Sequence, residues 1–251
     1  MDGLSLRRRI ALDIARSMRK SQEEEHPLRQ LFWECTLRCN LRCQHCGSDC
    51  KQVAATPDMP KEDFFKVLDS IAAKTDPHKV FVIISGGEPT MRADLEECGK
   101  GIYSRGFPWG MVTNGFGMTA ERFSRLLGAG LHSMTVSLDG LEENHDWLRG
   151  REGSFTRAVE TIRMAVQSGI AFDVVTCVNR RNYPQLPQLK EFLIGLGLKE
   201  WRLFSIFPQG RAALNPDLQL PREMFRGMLD FIKETRKEGR IKAGYGCEGF
   251  L

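Results

Sequence analysis

Short apolar runs alternate with amphipathic segments through most of the chain. Residues 80–84 are continuously apolar, as expected of a strand that is buried on both faces of a parallel sheet. The other runs of this kind lie at 31–34, 108–112, 133–138, 171–179 and 201–207. The segments between them, such as 92–104 and 154–167, carry apolar residues at helical spacing. This pattern predicts repeated strand–helix units and a parallel sheet.

The predicted strand ends carry the unusual polar sequences of the chain. Gly86, Thr113 and Ser137 lie 27 and 24 residues apart, the length of one strand plus one helix. Six such units predict an α/β fold, a partial (β/α)6 barrel of the TIM type, in which chemistry gathers at the carboxyl ends of the strands. A doubly wound open sheet is the competing fold, but it favours a glycine-rich turn after the first strand, where this chain has cysteines.

The two ends of the chain differ from this barrel, which we assign to residues 29–210. Residues 1–28 predict a basic amphipathic helix and linker, because Ile10, Ile14 and Met18 recur at every fourth position, and we expect the helix to contact the core or a partner. Residues 211–251 predict a linker helix followed by an incomplete C-terminal extension. Its one cysteine, Cys247, cannot hold a cluster alone, so we expect an extension that is either truncated or lost. Truncation is favoured because the sequence stops on the apolar residues 249–251 with no predicted helix or strand completed.

Composition and charge exclude several classes of function. With 251 residues and 41% hydrophobic content, the chain can bury one substantial core. Its 36 basic and 32 acidic residues give too small a surplus to predict nucleic-acid binding. No run of 18 apolar residues predicts a membrane span, and the N-terminus lacks the apolar segment of a secretory signal. We therefore expect a cytoplasmic protein.

A cysteine-rich loop follows the first predicted strand. Five of the eight cysteines lie between positions 35 and 50, and Cys39, Cys43 and Cys46 are spaced C-x3-C-x2-C. Three thiolates on one short loop suit an iron–sulfur cluster, with one iron left open to a small molecule. A zinc site with Cys35, His45 or Cys50 as fourth ligand, or a disulfide, remains the alternative.

This loop resembles that of the radical SAM superfamily, which reads C-x3-C-x-aromatic-C. His45 occupies the aromatic position. The resemblance implies a [4Fe-4S] cluster on Cys39, Cys43 and Cys46, with S-adenosylmethionine (SAM) on the open iron. It also implies reductive cleavage of SAM to a 5′-deoxyadenosyl radical that abstracts hydrogen from a substrate.

A second motif follows the second strand. Gly86, Gly87, Glu88 and Pro89 match the GGEP motif of the family. By resemblance, the backbone and Glu88 hold the amino group of SAM, and a carboxylate can accept hydrogen bonds from an ammonium group. The alternative is a glycine turn that starts a helix, with Glu88 favouring the helix N-terminus.

The segment from Ser137 to Arg149 resembles the S-x-D-G…H-D-x-x-R-G sequence of radical SAM enzymes with a SPASM-type extension. By resemblance, Ser137 contacts the ribose of SAM and Arg149 pairs with its carboxylate, for which a guanidinium fork is suited. A surface ion pair between Arg149 and Asp146 is the alternative. Asp139 is a candidate for an Asx turn in its own loop.

Other polar residues have less defined predicted roles. Asn114, in the family's T-N-G sequence, is expected near SAM or in a left-handed turn. Asn179 ends the fifth strand and is a candidate for contact with ribose or adenine, or for a turn. Neither Cys35 nor Cys50 is predicted to be a metal ligand. If one of them is, Cys50 is the stronger candidate. Glu34 is expected inside the barrel mouth, without a decided role.

The resemblance therefore favours a radical SAM enzyme of the SPASM or twitch type that modifies a peptide or protein side chain. Tailoring of a tetrapyrrole or another small molecule is the alternative substrate class. The non-enzymatic alternative is a binding module that a metal stabilises and that has no catalytic activity. Flavodoxin or ferredoxin is the electron donor that the resemblance implies.

Overall fold

Seven parallel strands form one sheet in this computed structural model, which describes residues 5–246 apart from the side chains of 22–25. The strands are β1 (Gln30–Thr36), β2 (Phe81–Gly86), β3 (Trp109–Thr113), β4 (Leu131–Ser137), β5 (Ala171–Val178), β6 (Glu200–Ser205) and β7 (Lys242–Tyr245). They pair in chain order, with β1 and β7 at the two edges. In a doubly wound sheet the order of the strands reverses at one point. Here the strands follow chain order throughout, so the structure is an open, barrel-like α/β sheet, which confirms the predicted fold class.

Helices connect the strands. They are α1 (Leu6–Glu25), α2 (Lys61–Ala72), α3 (Leu95–Tyr103), α4 (Ala120–Gly128), α5 (Glu142–Arg149), α6 (Ser154–Ser168), α7 (Leu186–Gly195) and α8 (Arg222–Glu238). Their boundaries follow local chemistry: Thr119 Oγ1 accepts a hydrogen bond from Arg122 N at 3.1 Å at the start of α4. Gly150 ends α5 in a left-handed conformation, φ 66°. Helix α5 was not predicted as a separate element, because its sequence is mostly polar.

Alternate residues of each strand face two different environments. Trp33 and Cys35 of β1 are 5% and 1% exposed and pack in the core that lies between the sheet and its helices. The residues that alternate with them, Phe32 and Glu34, are exposed. We call this second surface of the sheet the inner face. Glu34 lies on it, at the end of β1 where the cysteine loop begins.

The two ends of the chain depart from the expected picture. Every described side chain of α1 is exposed, so the expected contact of this helix with the core is not formed. Residues 222–245 form α8 and β7, and β7 pairs with β6, so the segment assigned to a linker and an extension adds a seventh strand to the sheet. Cys247 lies outside the described residues. Within the described chain, no helix is long and apolar enough to cross a membrane.

Candidate functional site

The cysteine loop spans residues 37–51 and is fixed by backbone hydrogen bonds to distant elements. Its own ends meet where Cys39 N donates to Lys51 O at 2.8 Å. Gln44 N donates to Leu148 O in α5, also at 2.8 Å. Gly150 follows that helix so closely that a Cβ there would lie 2.6 Å from Arg42 O. The loop is therefore held against the end of α5 rather than exposed as a free connection.

Residues 210 and 211 support the loop from the other side of the mouth. Arg211 N donates to Cys46 O at 2.9 Å, and its Nε donates to Cys43 O at 2.7 Å. Gly210 has φ 56°, and a Cβ on it would lie 2.5 Å from Cys46 O. The sequence indicated only that this segment follows the sixth strand. Arg211 was not predicted as a site residue, because no spacing in the sequence links it to the cysteines.

All three predicted metal ligands line one cavity of about 140 Å³ at the carboxyl ends of the strands. Six of the eight residues predicted to bind SAM also line it: Gly86, Gly87, Glu88, Asn114, Ser137 and Arg149. Pro89 and Asn179 do not. The wall also includes residues to which no role was assigned: Ser85, Val112, Thr113 and Arg211. The fold thus brings together predicted site residues from five separate parts of the sequence.

Burial disfavours the thiolate form of two of the loop cysteines, Cys39 and Cys43. Burial raises the pKa of Cys39 to about 12. Burial also raises the pKa of Cys43, although Arg149, whose Nη1 lies 3.8 Å from Cys43 Sγ, acts in the opposite direction. A metal binds the thiolate form of cysteine. Its positive charge offsets the free-energy cost of burying that charged form. These thiols therefore suit a metal centre better than free nucleophilic chemistry.

One group of potential metal ligands lies close together beside this cavity. In the described part of the chain, the one group of three or more potential ligand atoms within 4.8 Å of one another is His45, Asp139 and Cys177. The three loop thiols do not form a group of that kind. The described cysteines are all free thiols, so the disulfide alternative is wrong for them.

The other two cysteines near the loop have different surroundings. Cys35 packs in the hydrophobic core beside Trp33 and does not line the cavity. Cys50 lines the cavity, and burial raises its pKa to about 11. Of the two cysteines left as non-ligands, Cys50 is the one within reach of the site.

Glu88 joins the ends of β2 and β3. Its Oε1 accepts hydrogen bonds from Thr113 Oγ1 at 2.7 Å and from Thr90 Oγ1 at 2.8 Å. Its Oε2 accepts one from Asn114 N at 2.8 Å. The side chain is 1% exposed and also caps the short 3₁₀ turn at 89–91. The capping alternative is therefore part of its role, and Oε2 keeps the capacity to accept a second donor.

The two glycines before Glu88 lie against the end of β1. Gly87 N donates to Thr36 O at 2.7 Å, and Glu88 N donates to Arg38 O at 2.9 Å. Gly86 has φ 127°, a conformation that residues with a side chain rarely adopt. A Cβ at Gly87 would collide with the backbone of Arg38. Glycine is required at both positions for the backbone to pass beside the cysteine loop.

Arg149 forms a buried ion pair, but its partner is Asp139. Arg149 Nε donates to Asp139 Oδ2 at 2.6 Å, and the two side chains are 9% and 0% exposed. Burial alone would raise the pKa of Asp139, but the charge of Arg149 holds it below its usual range. The expected alternative, a surface pair with Asp146, is wrong, since Asp146 instead accepts hydrogen bonds from Gly153 N and Phe155 N at the start of α6.

Asp139 also links neighbouring strands. Its Oδ1 accepts a hydrogen bond from Cys177 N in β5 at 2.8 Å. Its own backbone N donates to His145 Nδ1 at 3.0 Å. The expected Asx turn within its own loop is therefore replaced by ties to β5 and α5. His145 is buried, and burial lowers its pKa to about 4, so it is a neutral structural residue at physiological pH.

The two asparagines occupy different positions. Asn114 Nδ2 donates to Asn40 Oδ1 at 2.8 Å, which ties the end of β3 to the cysteine loop beside the cavity. Asn179 Oδ1 accepts from Arg181 N at 2.9 Å within a turn. Asn179 is thus a turn residue, as its alternative role predicted, and Asn182 behind it donates to Cys177 O at 2.9 Å.

The arrangement brings together thiols, a guanidinium, a carboxylate and free backbone at one enclosed mouth. A group with an ammonium and a carboxylate would find a partner for each here, because Glu88 accepts hydrogen bonds and Arg149 donates them. The strand ends that supply these residues come from separate parts of the chain, as expected of a barrel site.

Comparison with known proteins gives one family. Residues 33–193 match the Radical SAM superfamily. An AdoMet-dependent heme synthase of Oleidesulfovibrio alaskensis is 28% identical over 89% of this chain and 57% of its own length. A PqqA peptide cyclase of Rhizobium meliloti is 26% identical over 84% of this chain and 56% of its own length. The chain thus spans somewhat more than half the length of these relatives.

A solved structure shares the fold. Streptococcus suis SuiB bound to S-adenosylmethionine superposes with a TM-score of 0.71 at 15% identity. The superposition covers 99% of this chain and 58% of SuiB. At this identity the likeness concerns the fold alone.

Proposed function

The chain belongs to the radical SAM superfamily, and from this membership we propose that it is the catalytic part of an enzyme that cleaves SAM reductively. Members of the superfamily use a [4Fe-4S] cluster and SAM. When bound, these groups supply a 5′-deoxyadenosyl radical that abstracts hydrogen from a substrate. The observation that carries the proposal is the single cavity lined by Cys39, Cys43 and Cys46 together with Glu88 and Arg149.

We propose that Cys39, Cys43 and Cys46 hold the cluster. The support comes from their common cavity and from the buried thiols whose deprotonation a metal would drive. Arg211 orients this loop through Cys43 O and Cys46 O. The C-x3-C-x2-C spacing of the three cysteines supports a cluster over zinc, because zinc sites usually draw on two separated pairs of ligands.

SAM binding is assigned to the other wall of the cavity. Glu88 Oε2 and the backbone at Gly86 and Gly87 would accept hydrogen bonds from its ammonium group. Arg149 would donate to its carboxylate through Nη2, since Nε donates to Asp139 and Nη1 lies against Cys43 Sγ.

Ser137 and Asn114 line the same cavity, and Ser137 would contact the ribose. Pro89 and Asn179 would act from behind the wall. Pro89 begins the turn that Glu88 caps, and Asn179 shapes the turn after β5.

The substrate is proposed to be a tetrapyrrole-type small molecule. The heme synthase relative supports this class, which the sequence analysis gave as the alternative to a peptide or protein side chain. A peptide or protein side chain is the second candidate, favoured by the PqqA peptide cyclase relative. The proposal also includes the SPASM-type branch, the cytoplasmic location and the flavodoxin or ferredoxin reductant that were expected from the sequence.

The proposal is tested by SAM cleavage under anaerobic conditions. The protein is reconstituted with iron and sulfide, reduced with dithionite and assayed for 5′-deoxyadenosine. We expect formation of 5′-deoxyadenosine by the wild type and its loss in Cys43→Ala. The matched control is Cys98→Ala, which makes the same change in the hydrophobic core away from the cavity and should retain iron and activity.

Two results would overturn the proposal. One is a reconstituted protein that binds stoichiometric iron yet forms no 5′-deoxyadenosine, which would favour a binding module. The other is anaerobically purified protein that contains zinc without stoichiometric iron. For the substrate, a tetrapyrrole carboxylate and a precursor peptide are compared as additives, and the cognate class should raise the rate of 5′-deoxyadenosine formation.

A further inference from the structure

A second and larger cavity lies on the inner face of the sheet, below the mouth. Its volume is about 870 Å³, within the range of sites that bind small molecules. Residues at the starts and middles of six strands line it. Val112 of β3 lines both this cavity and the cysteine cavity above it, so the two spaces meet at that residue. A ligand in the larger cavity would reach the mouth from below.

The two sides of this cavity differ in character. The side formed by β1 and β2 is apolar and aromatic, with Phe32, Phe81 and Ile83 on the inner face. The side formed by β4, β5 and β6 carries Thr135, Asp173 and Arg202. An amphipathic ligand would therefore place its apolar part toward β1 and β2 and its polar part toward β5 and β6.

Thr135, Asp173 and Arg202 are hydrogen-bonded to one another, and the polar lining beside them also includes Ser133, Lys199 and Glu200. Thr135 and Asp173 are paired across β4 and β5, and Thr135 Oγ1 donates to Asp173 Oδ1 at 2.7 Å. Arg202 Nε donates to Asp173 Oδ2, and its Nη2 donates to Thr135 Oγ1 at 3.1 Å. These contacts hold the edge of the guanidinium that carries Nε and Nη2, and no described side chain or carbonyl accepts a hydrogen bond from Nη1.

Arg202 keeps solvent access within this cavity. Its side chain is 44% exposed on β6, the strand next to the edge strand β7, and it lines the cavity. Its guanidinium carbon lies 5.8 Å from the centre of the Phe204 ring, which adds a second constraint on its orientation. A guanidinium fixed along one edge presents its remaining donors in a set direction at little further cost in side-chain entropy.

We propose that Arg202, oriented by Asp173 and Thr135, binds a carboxylate of the substrate, and that this carboxylate is carried on an apolar or aromatic scaffold packed against Phe32 and Phe81. A planar guanidinium is suited to a carboxylate, which it can meet through two parallel hydrogen bonds. The inference rests on the proposed function, because it takes the inner cavity as the substrate site below the SAM site.

The test measures binding rather than turnover. Two pairs of probes differ only in the carboxylate: coproporphyrin III and its tetramethyl ester, and the peptide N-acetyl-Phe-Glu-Phe-amide and its Gln counterpart. Affinities are measured anaerobically by calorimetry on the cluster-reconstituted chain. We expect the wild type to bind at least one acid about tenfold or more tightly than its neutral partner. The pair that discriminates identifies whether the scaffold is a macrocycle or a peptide.

The variants then assign that preference to one residue. Arg202→Met should abolish the preference for the acid, and Arg202→Lys, which keeps the charge but not the fork, should retain only part of it. Arg157→Met is the matched control, because it removes an arginine from an ion pair with Glu160 on the outer surface of α6. This control should bind like the wild type. Circular dichroism establishes that each variant is folded, and Arg202→Lys keeps the test valid if Arg202→Met does not fold.

Two outcomes would overturn the inference. They are equal binding of acid and neutral probes by the wild type in both pairs, and an acid preference that persists in a folded Arg202→Met. Failure of the proposed function would look different. In that case 5′-deoxyadenosine would be absent whatever the probes do, whereas failure of this inference alone would leave SAM cleavage intact without discrimination between the probes.

Discussion

Glu88 is a residue at which sequence and structure assign overlapping roles. The GGEP resemblance predicted contact with the amino group of SAM. The structure adds that its carboxylate accepts hydrogen bonds from Thr90, Thr113 and Asn114 at the meeting point of two strand ends. A residue that binds ligand and also joins the strands cannot be changed for one purpose without affecting the other.

Replacement of Glu88 should therefore lower stability as well as SAM affinity. In Glu88→Gln the amide NH2 group, itself a hydrogen-bond donor, would lie opposite hydrogen-bond donors whose bonds a carboxylate oxygen accepts in the wild type. We expect a loss of about 1–3 kcal/mol in the free energy of unfolding, measured by urea denaturation. Glu121→Gln, at a side chain that is 82% exposed, is the control and should change stability by less than about 0.5 kcal/mol. Equal effects of the two changes would contradict the structural role.

The buried histidine of α5 predicts a pH dependence of stability. Burial lowers the pKa of His145 from 6.5 to about 4, so the unfolded chain binds this proton at a higher pH than the folded chain does. The stability from keeping His145 neutral is therefore complete above pH 6.5 and is lost progressively as the pH falls toward 4. The loss from this residue should reach about 3 kcal/mol near pH 4.

His145→Asn isolates that contribution. An asparagine oxygen can replace Nδ1 as acceptor for Asp139 N, but it does not titrate. Denaturation measured from pH 7.5 to pH 4.5 should show a shallower decline for the variant than for the wild type. Parallel curves for the two proteins would show that His145 does not carry this proton linkage.

At this scale the sequence predicted residue types better than partners. Arg149 was expected at the site, but its partner proved to be Asp139, because the fold buries both side chains beside Cys43. Arg211 could not be predicted at all. Its contacts to the cysteine loop join residues 168 positions apart, and local patterns carry no information on such a separation.

At the scale of the elements, the cysteine loop depends on glycines that let another stretch of backbone lie directly against it. Gly210 packs against the backbone of Cys46 and Gly47 with φ 56°. Gly210→Ala would combine a collision with an unfavourable backbone conformation. We expect displacement of the loop, measured as a loss of more than about half of the iron bound after reconstitution.

Gly239 provides the matched control for this change. It has a similar conformation, φ 69°, at the end of α8, but a Cβ there would meet nothing within 4 Å. Gly239→Ala should cost about 1 kcal/mol of stability through backbone strain alone and leave iron content unchanged. Equal iron loss in the two variants would mean that general destabilisation, rather than displacement of the loop, is responsible.

The periodicity of strands and helices was the most predictable feature at this scale. Continuous apolar runs located six strands within a few residues of their observed bounds. Helix α5 was missed because its residues are mostly polar and its identity depends on packing against α6 and the cysteine loop. Strand β7 was missed because four residues, Lys242–Tyr245, carry too little pattern to predict a strand before its pairing with β6 is known.

For the whole molecule, the first helix contributes little to the fold that surrounds the site. Its apolar residues Ile10, Ile14 and Met18 are 51%, 55% and 64% exposed. A helix that buries no apolar surface cannot stabilise the sheet by the hydrophobic effect. The amphipathic pattern predicted the helix itself, but it could not predict whether the apolar side would meet the core.

Removal of residues 1–26 should therefore leave the remainder folded. We expect the free energy of unfolding to change by less than about 0.5 kcal/mol, and iron incorporation and 5′-deoxyadenosine formation to be retained. Thermal and urea denaturation of the shortened chain provide the measurement. A loss of several kcal/mol would show that the helix packs on the sheet in solution.

The hydrogen bonds of the cysteine loop connect two distant parts of the sheet. The edge strands β1 and β7 do not pair with each other, and the loop after β1 is instead hydrogen-bonded to Arg211, which lies beyond β6. The loop that carries the predicted metal ligands is thus held from both sides of the opening at the strand ends. It follows that a change beyond β6, near Arg211, should be transmitted to Cys43 and Cys46, although 168 residues separate Arg211 from Cys43.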